Sequence, residues 1–239
     1  MTAAHSNIKR KRVGILISGR GSNMRALIEA CKADDYPAEI VTVISNRPNA
    51  AGLEYARAQN IQTVTIDHKQ YASREPFERA LHQALIDAGV ELICNAGFMR
   101  LLTSEFVDLW HNRQLNIHPS ILPAFKGLHT HERAIQAGVK ITGCTVHIVR
   151  TEMDSGPIIA QAAVSISSRD TDETLSARVL KAEHHLYPRA LALIASGEAR
   201  IVGEHIIINN QTNNSDNADK SANAGEIFYA PPLMGPNGA

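Results

Sequence analysis

The densest chemistry in this 239-residue chain lies in QLNIHPSILPAFKG, residues 114–127. Asn116 and His118 stand two apart, so on a strand both side chains emerge on one face, and Pro119 then ends regular pairing. An amide donor beside an imidazole can hold an oxyanion between them and move a proton. A hydrogen-bonded strand end with no ligand also accounts for the pair. Ser120 lacks the G-x-S-x-G elbow of a nucleophilic serine, and Cys94 sits inside an apolar strand, so neither reads as a nucleophile.

Three further passages carry usable groups. LISGRGSN (16–23) puts Gly19 and Gly21 after an apolar run, with Ser22 and Asn23 opening a helix whose N–H groups make a donor-rich anion site. That suits a mononucleotide or sugar phosphate; a tight turn with a capped helix is the alternative. The dinucleotide fingerprint is incomplete, because Met24 replaces its third glycine and ISNRPNA (44–50) lacks the ribose-binding acid, although Arg47 leaves an NADP-like variant open. GFMRLL (97–102) offers exposed backbone with Met99, Leu101 and Leu102 for a flat ring, and EMDSGP (152–157) places Asp154 in a tight connection before Gly156. Taken singly, these two read as a self-packed loop and a β-turn aspartate.

Periodicity predicts the elements that must bring these groups together. Strands fall at 13–18, 39–45, 63–66, 92–96, 114–118, 142–149 and 157–163, and helices at 23–32, 50–59, 74–88, 104–110 and 130–136. The alternation implies right-handed βαβ units, hence an α/β fold with a mostly parallel, Rossmann-like sheet and helices on both faces. Strands 142–149 and 157–163 leave no room for a crossover helix, so they pair antiparallel and begin an antiparallel C-terminal extension. A helix over 174–196 follows, kinked at Pro188, then a strand over 200–208 with EIFYA (226–230) as its returning partner. The expected organisation is a flexible basic segment 1–12, one domain over 13–208, a mobile Asn-rich loop over 209–225, and a C-terminal strand and tail over 226–239.

Composition narrows the partners. Lys+Arg and Asp+Glu number 24 each, a net charge of zero that argues against a surface built for nucleic acid or an anionic membrane. A few local donors can still hold a small anion. No run approaches the roughly 18 apolar residues of a membrane span. The basic flank Lys9, Arg10, Lys11 and Arg12 leads into VGILISG and then Arg20 without a cleavage site, which reads as a strand and not a signal peptide. Cys31, Cys94 and Cys144 are scattered, with no C-x-x-C, as expected of buried thiols in a reducing cytosol. A cytoplasmic location is expected.

In their order and spacing, SGRGSN, NAGFMRLL, LNIHPSILPAFKGLHTH and EMDSGP closely resemble the phosphoribosylglycinamide formyltransferases, folate-dependent enzymes of purine biosynthesis. The likeness runs from about residue 13 to 208 and resumes at 226–232. The N-x-H-P-S-x-L-P and D-x-G pair is shared by the wider folate formyltransferase group; the phosphate loop with GLHTH narrows it to the glycinamide enzyme.

The resemblance implies transfer of a formyl group from the co-substrate 10-formyltetrahydrofolate to the amine of 5-phosphoribosylglycinamide, with no metal and no covalent intermediate. By position, Asn116 would donate to the formyl oxygen and His118, as imidazolium, would stabilise the oxyanion and donate the proton. Asp154 would favour the charged imidazolium and orient a proton-carrying water. Gly21, Ser22 and Asn23 match the sugar-phosphate site, and Glu183 in KAEHHLYP matches an acid contacting glycinamide. Arg74 with Met99, Arg100, Leu101 and Leu102 matches the folate side, where Asn116 also reaches; Arg150, Thr151, Glu152, Met153 and Asp154 would wall the pterin pocket. Expected partners are these small molecules alone, with no nucleic acid or membrane, and the enzyme would be a monomer or homodimer. Arg20 in the phosphate loop, Ser155 after the aspartate, and the long Asn-rich segment depart from the family pattern.

Rival chemistries use the same residues. A metal hydrolase would recruit His118, His129, His131 and Asp154, but that spacing does not fix tetrahedral geometry. A formyltetrahydrofolate hydrolase usually carries an added N-terminal domain, and a tRNA-formylating enzyme a C-terminal domain and a basic surface. A silent folate-binding module would be expected to lose Asn116, His118 or Asp154, and all three are in place.

Overall fold

Apolar runs buried on both sides mark the centre of the molecule. In the computed structural model, which describes residues 9–209 and the backbone of 227–230, β1 (Lys11–Ile17) buries Val13, Ile15 and Ile17 on one face and Leu16 on the other. A strand covered on both faces requires such an unbroken run. There follow α1 (Ser22–Ala30), β2 (Ala38–Ser45), α2 (Ala51–Ala58), β3 (Gln62–Thr65), α3 (Arg74–Asp87), β4 (Leu92–Asn95), α4 (Ser104–Leu109) and β5 (Gln114–His118). Strands β5, β4, β1, β2 and β3 lie side by side and parallel. Chain order reverses between β1 and β4, which opens a crevice beyond their C-terminal ends, the place where such sheets bind ligands.

Next come α5 (Thr130–Gln136), β6 (Ile141–Ile148), β7 (Ile158–Ser165), α6 (Asp172–Ser196), β8 (Ala199–Val202), β9 (His205–Ile208) and β10 (Ile227–Ala230). β6, β7 and β10 extend the sheet antiparallel to eight strands, and β8 with β9 forms a separate antiparallel pair. One face is covered by α1, α2 and α6 through Met24, Leu27, Leu53, Leu175, Leu186 and Tyr187. The other is covered by α3 and α4 through Phe77, Leu81, Leu85, Phe106 and Trp110. The predicted mostly parallel sheet with helices on both faces is the observed one.

Several boundaries differ for local reasons. β1 begins at Lys11, inside the segment expected to be flexible, because Lys11 pairs with Ala38 and reaches Glu91, while Arg12 reaches Glu39. α6 begins at Asp172 because Thr171 and Thr174 form a capping box, and it runs unbroken through Pro188. The strand predicted over 200–208 is a hairpin instead, since the two-residue Gly203–Glu204 turn folds β9 back on β8. β10 pairs with β7 and not with that segment. Residues 1–8, 210–226 and 231–239, which hold most of the expected flexible segment, Asn-rich loop and tail, lie outside the described residues.

Candidate active site

Strand register assembles the candidate catalytic group. Asn116 and His118 project from the same face of β5, and the antiparallel pairing of β6 sets His147 opposite Asn116 and Thr145 opposite His118. His147 is 2% exposed, and burial holds its pKa below the usual histidine range, which favours the neutral ring. Its Nδ1–H donates to the Ile148 carbonyl at 3.0 Å, which leaves Nε2 to accept from Asn116 Nδ2 at 3.2 Å. This bond fixes the amide with its nitrogen inward and leaves a second Nδ2 hydrogen to donate elsewhere. Sequence reading passed over His147 and Thr145. The T-x-H spacing on β6 becomes informative only once the β5–β6 register is known.

Asp154 arrives from the β6–β7 connection. Its backbone is left-handed at φ 52°, a conformation that Asp tolerates better than most side chains. The turn is held tight by Gly156, where a Cβ would stand 1.9 Å from the Ile148 carbonyl oxygen. Asp154 Oδ2 lies 3.4 Å from His118 Nδ1, and Oδ1 lies 3.7 Å from His147 Nε2. The His118 and Asp154 side chains are only 7% and 9% exposed, so little water screens the pair.

A loop completes the arrangement from above. After His118 the chain is anchored by Thr145, whose Oγ1 donates to the Ser120 carbonyl and accepts from Leu122 N–H, and by Gln161, which donates to the Leu122 carbonyl. Further on, the Phe125 carbonyl accepts from His118 Nε2–H at 3.0 Å, and Gly127 N–H donates to Asp154 Oδ2 at 2.9 Å. These backbone partners were invisible to side-chain pattern reading.

The predicted phosphate loop sits at the crevice. Gly21 is the N-cap of α1 at φ 70°, a left-handed position that suits glycine, and having no side chain it leaves the first-turn N–H groups without a side-chain cap. Ser22 opens the helix and Asn23 is buried, its Nδ2 donating to Glu183 Oε2 on α6 at 2.7 Å. Burial raises the Glu183 carboxyl to about 7, against the lowering effect of that bond. Asn23 Oδ1 has no partner among the described residues. Glu183 is within electrostatic reach of Cys144, whose side chain lies in the core beneath α6, on the face of β6 opposite Thr145 and His147.

Loops after β4 and β6 carry the apolar groups. Met99 N–H donates to Ser18 Oγ at 2.8 Å, and Ser18 N–H donates to the Gly97 carbonyl, tying the 97–102 loop to the end of β1. Met99, Leu101, Leu128 and Met153 are exposed, while Leu102 packs against the core. Arg74 is the first residue of α3. The Arg150 guanidinium donates to Asn112 Oδ1 at 2.8 Å and pairs with Glu204 at 3.1 Å. A separate cavity of about 200 Å3 between α3 and α4, lined by Glu75, Arg79, His82 and Phe106 among others, contains none of the candidate catalytic residues.

A mostly parallel α/β sheet thus carries Asn116, His118 and Asp154 together around the end of β5, an arrangement able to hold an oxyanion and move a proton. The chain belongs to the formyl transferase family, whose sequence profile matches residues 11–191. Within it, the chain is 40% identical over 187 residues to the phosphoribosylglycinamide formyltransferase of Escherichia coli, a match covering 78% of this chain and 88% of that protein. It is also 49% identical over 205 residues to the trifunctional purine biosynthetic protein adenosine-3 of Gallus gallus, covering 83% of this chain and only 20% of that much longer protein. The structure superposes on glycinamide ribonucleotide transformylase 1 from Symbiobacterium toebii with a TM-score of 0.81 at 44% identity, over 84% of this chain and 94% of that one.

Among the described residues, no group of three or more His, Cys, Asp or Glu side chains is placed to hold a metal ion, and no helix is long and apolar enough to cross a membrane.

Proposed function

We propose that this chain transfers the formyl group of 10-formyltetrahydrofolate to the amine of 5-phosphoribosylglycinamide, giving the N-formyl product and tetrahydrofolate in purine biosynthesis. The observation that carries the reading is the convergence of Asn116, His118 and Asp154, each held by a specific partner, in a fold whose α1 leaves its N-terminus without a side-chain cap.

The amine nitrogen attacks the formyl carbon, the carbonyl electrons move onto oxygen, and the C–N bond to the folate then breaks as a proton passes from the attacking to the departing nitrogen. The free Nδ2 hydrogen of Asn116 serves the oxyanion. His118 is fixed at Nε2 by Phe125, whereas its 3.4 Å contact to Asp154 is longer than the 2.7–2.9 Å typical of a charge-assisted bond. The Nδ1–H end is therefore the one that opens to the developing charge and supplies the proton. Asp154, kept in place by Gly127, balances the imidazolium and orients water for the proton relay.

Gly21, Ser22 and Asn23 take the phosphate-bearing substrate, with Glu183 receiving its glycinamide end. Arg74 and the 97–102 segment with Met99, Arg100, Leu101 and Leu102 take the folate, against a wall formed by Arg150, Thr151, Glu152 and Met153. The reading extends to a single catalytic domain, a cytoplasmic location, and a monomer or homodimer acting on small molecules without metal. The test is a spectroscopic folate assay with and without phosphoribosylglycinamide: tetrahydrofolate should form only when the ribonucleotide is present. Formation at the same rate without it would make the chain a hydrolase.

A further inference from the structure

Both catalytic side chains lean on one stretch of backbone. His118 Nε2–H is held by the Phe125 carbonyl, and Asp154 Oδ2 by Gly127 N–H, so residues 125–127 set the orientation of the pair. That stretch can orient them only if something other than the pair keeps it in place. The Thr145, Gln161 and Ser120 bonds anchor the chain no further than Ala124. Beyond it the backbone is left-handed at Phe125, Gly127 and His129, with φ of 54°, 80° and 55°. Left-handed backbone at non-glycine residues such as Phe125 and His129 costs energy and persists only where surrounding contacts impose it.

One side chain supplies those contacts. Arg133, on the second turn of α5, donates from Nη1 to the Lys126 carbonyl at 2.6 Å and to the Leu128 carbonyl at 3.2 Å, gripping the backbone on both sides of Gly127. Its guanidinium also lies 5.6 Å from the centroid of the Phe125 ring. Among the described residues, the other side-chain ties here, Lys126 to Glu152 at 3.2 Å and His129 to Glu132 at 3.7 Å, join solvent-exposed side chains and contribute little. A planar guanidinium holds its donors in a rigid fork while lying against an aromatic face, whereas a lysine ammonium is a flexible, strongly hydrated point charge.

We propose that Arg133 is a positioning residue for catalysis: by clamping residues 125–128 it holds the backbone groups that orient His118 and Asp154. The proposal rests on the formyl-transfer reading, and the experiment separates the two. In Arg133→Ala, kcat for formyl transfer should fall about tenfold while both KM values change less than twofold. Added guanidinium at low millimolar concentration should restore much of the rate, and Arg133→Lys should recover only part of it.

A second readout needs no activity. In NMR spectra of the unliganded protein, the His118 Nε2–H should be protected from exchange in the wild type and exchange at least tenfold faster in Arg133→Ala. Wild-type kcat in Arg133→Ala, or unchanged Nε2–H protection, would overturn the clamp. So would a lowered rate that guanidinium leaves untouched. If the wild type itself transfers no formyl group, the functional reading fails, while the exchange measurement still decides whether Arg133 orients His118.

Discussion

Replacing Glu183 with Gln tests the most heavily perturbed carboxyl at the site. Burial raises the folded-state pKa from an ordinary 4.5 to about 7, so between those values the folded protein holds a proton that the unfolded chain has released. Stability contributed by this group therefore falls as pH rises from about 4.5, and the loss is complete above about 7. At 1.36 kcal/mol per pKa unit the full effect is roughly 3 kcal/mol, or about 6–12 °C in Tm for a chain of this size. The substituted glutamine keeps an acceptor for Asn23 Nδ2 but adds two buried amide hydrogens, a cost of about 1–3 kcal/mol that does not vary with pH. Urea unfolding of both proteins at about pH 4.5 and about pH 8 cancels that cost, as it cancels every other titrating group. The wild type should lose roughly 3 kcal/mol relative to Glu183→Gln between the two conditions. Equal loss in the two proteins would show that the carboxyl is ionised or well solvated in the fold, and the account of its burial would be wrong. The same variant should raise KM for the ribonucleotide while KM for the folate stays unchanged.

Other expectations are briefer. His118→Ala and Asp154→Asn should each reduce kcat by roughly 100-fold or more, the scale for losing an oxyanion partner or general acid, with substrate binding retained by calorimetry. His147→Leu frees the Asn116 amide and should lower kcat about tenfold without altering either KM; an unchanged kcat would mean the amide is oriented by something else. In Gly156→Ala the new methyl meets the Ile148 carbonyl, so the β6–β7 connection must shift, and urea unfolding should show a loss of about 2 kcal/mol or more together with low activity. Ser22→Ala should weaken the phosphate-bearing substrate selectively in steady-state kinetics.

The parallel half of the fold was legible because burial on both faces leaves continuous apolar runs between amphipathic helices, and β5 and α5 were placed to the residue. The 199–208 hairpin was not, because ARIV and HIII are both apolar and the Gly203–Glu204 turn between them reads as a bulge in one strand. β10 was found as a strand but given the wrong neighbour, since partner choice depends on which sheet edge is open and four residues carry no such signal. At the site, side chains with chemical character were found, while His147, the Phe125 carbonyl and Gly127 N–H were missed. The first depends on cross-strand register, and the others belong to backbone that any sequence possesses.

Local rules are broken most often where the proposed chemistry lies. Glu183 is buried with only an amide for company, Asn23 Oδ1 goes unpaired, and Asp154 and Phe125 hold left-handed backbone. No single violation is diagnostic: Trp110 Nε1 and Thr42 Oγ1 are also buried with no hydrogen-bond partner among the described residues, and neither is a catalytic candidate. What distinguishes the site is that some of its irregularities have a substrate group to meet them. A carboxyl disfavoured in the empty protein gains most from a cationic amine, and uncapped helix N–H groups gain most from a phosphate. The zero net charge of the chain is compatible with two anionic substrates for the same reason, since the donors that matter are few, fixed and local. Substitutions that repair these irregularities should stabilise the empty protein and weaken substrate binding together, as Glu183→Gln is expected to do above neutral pH.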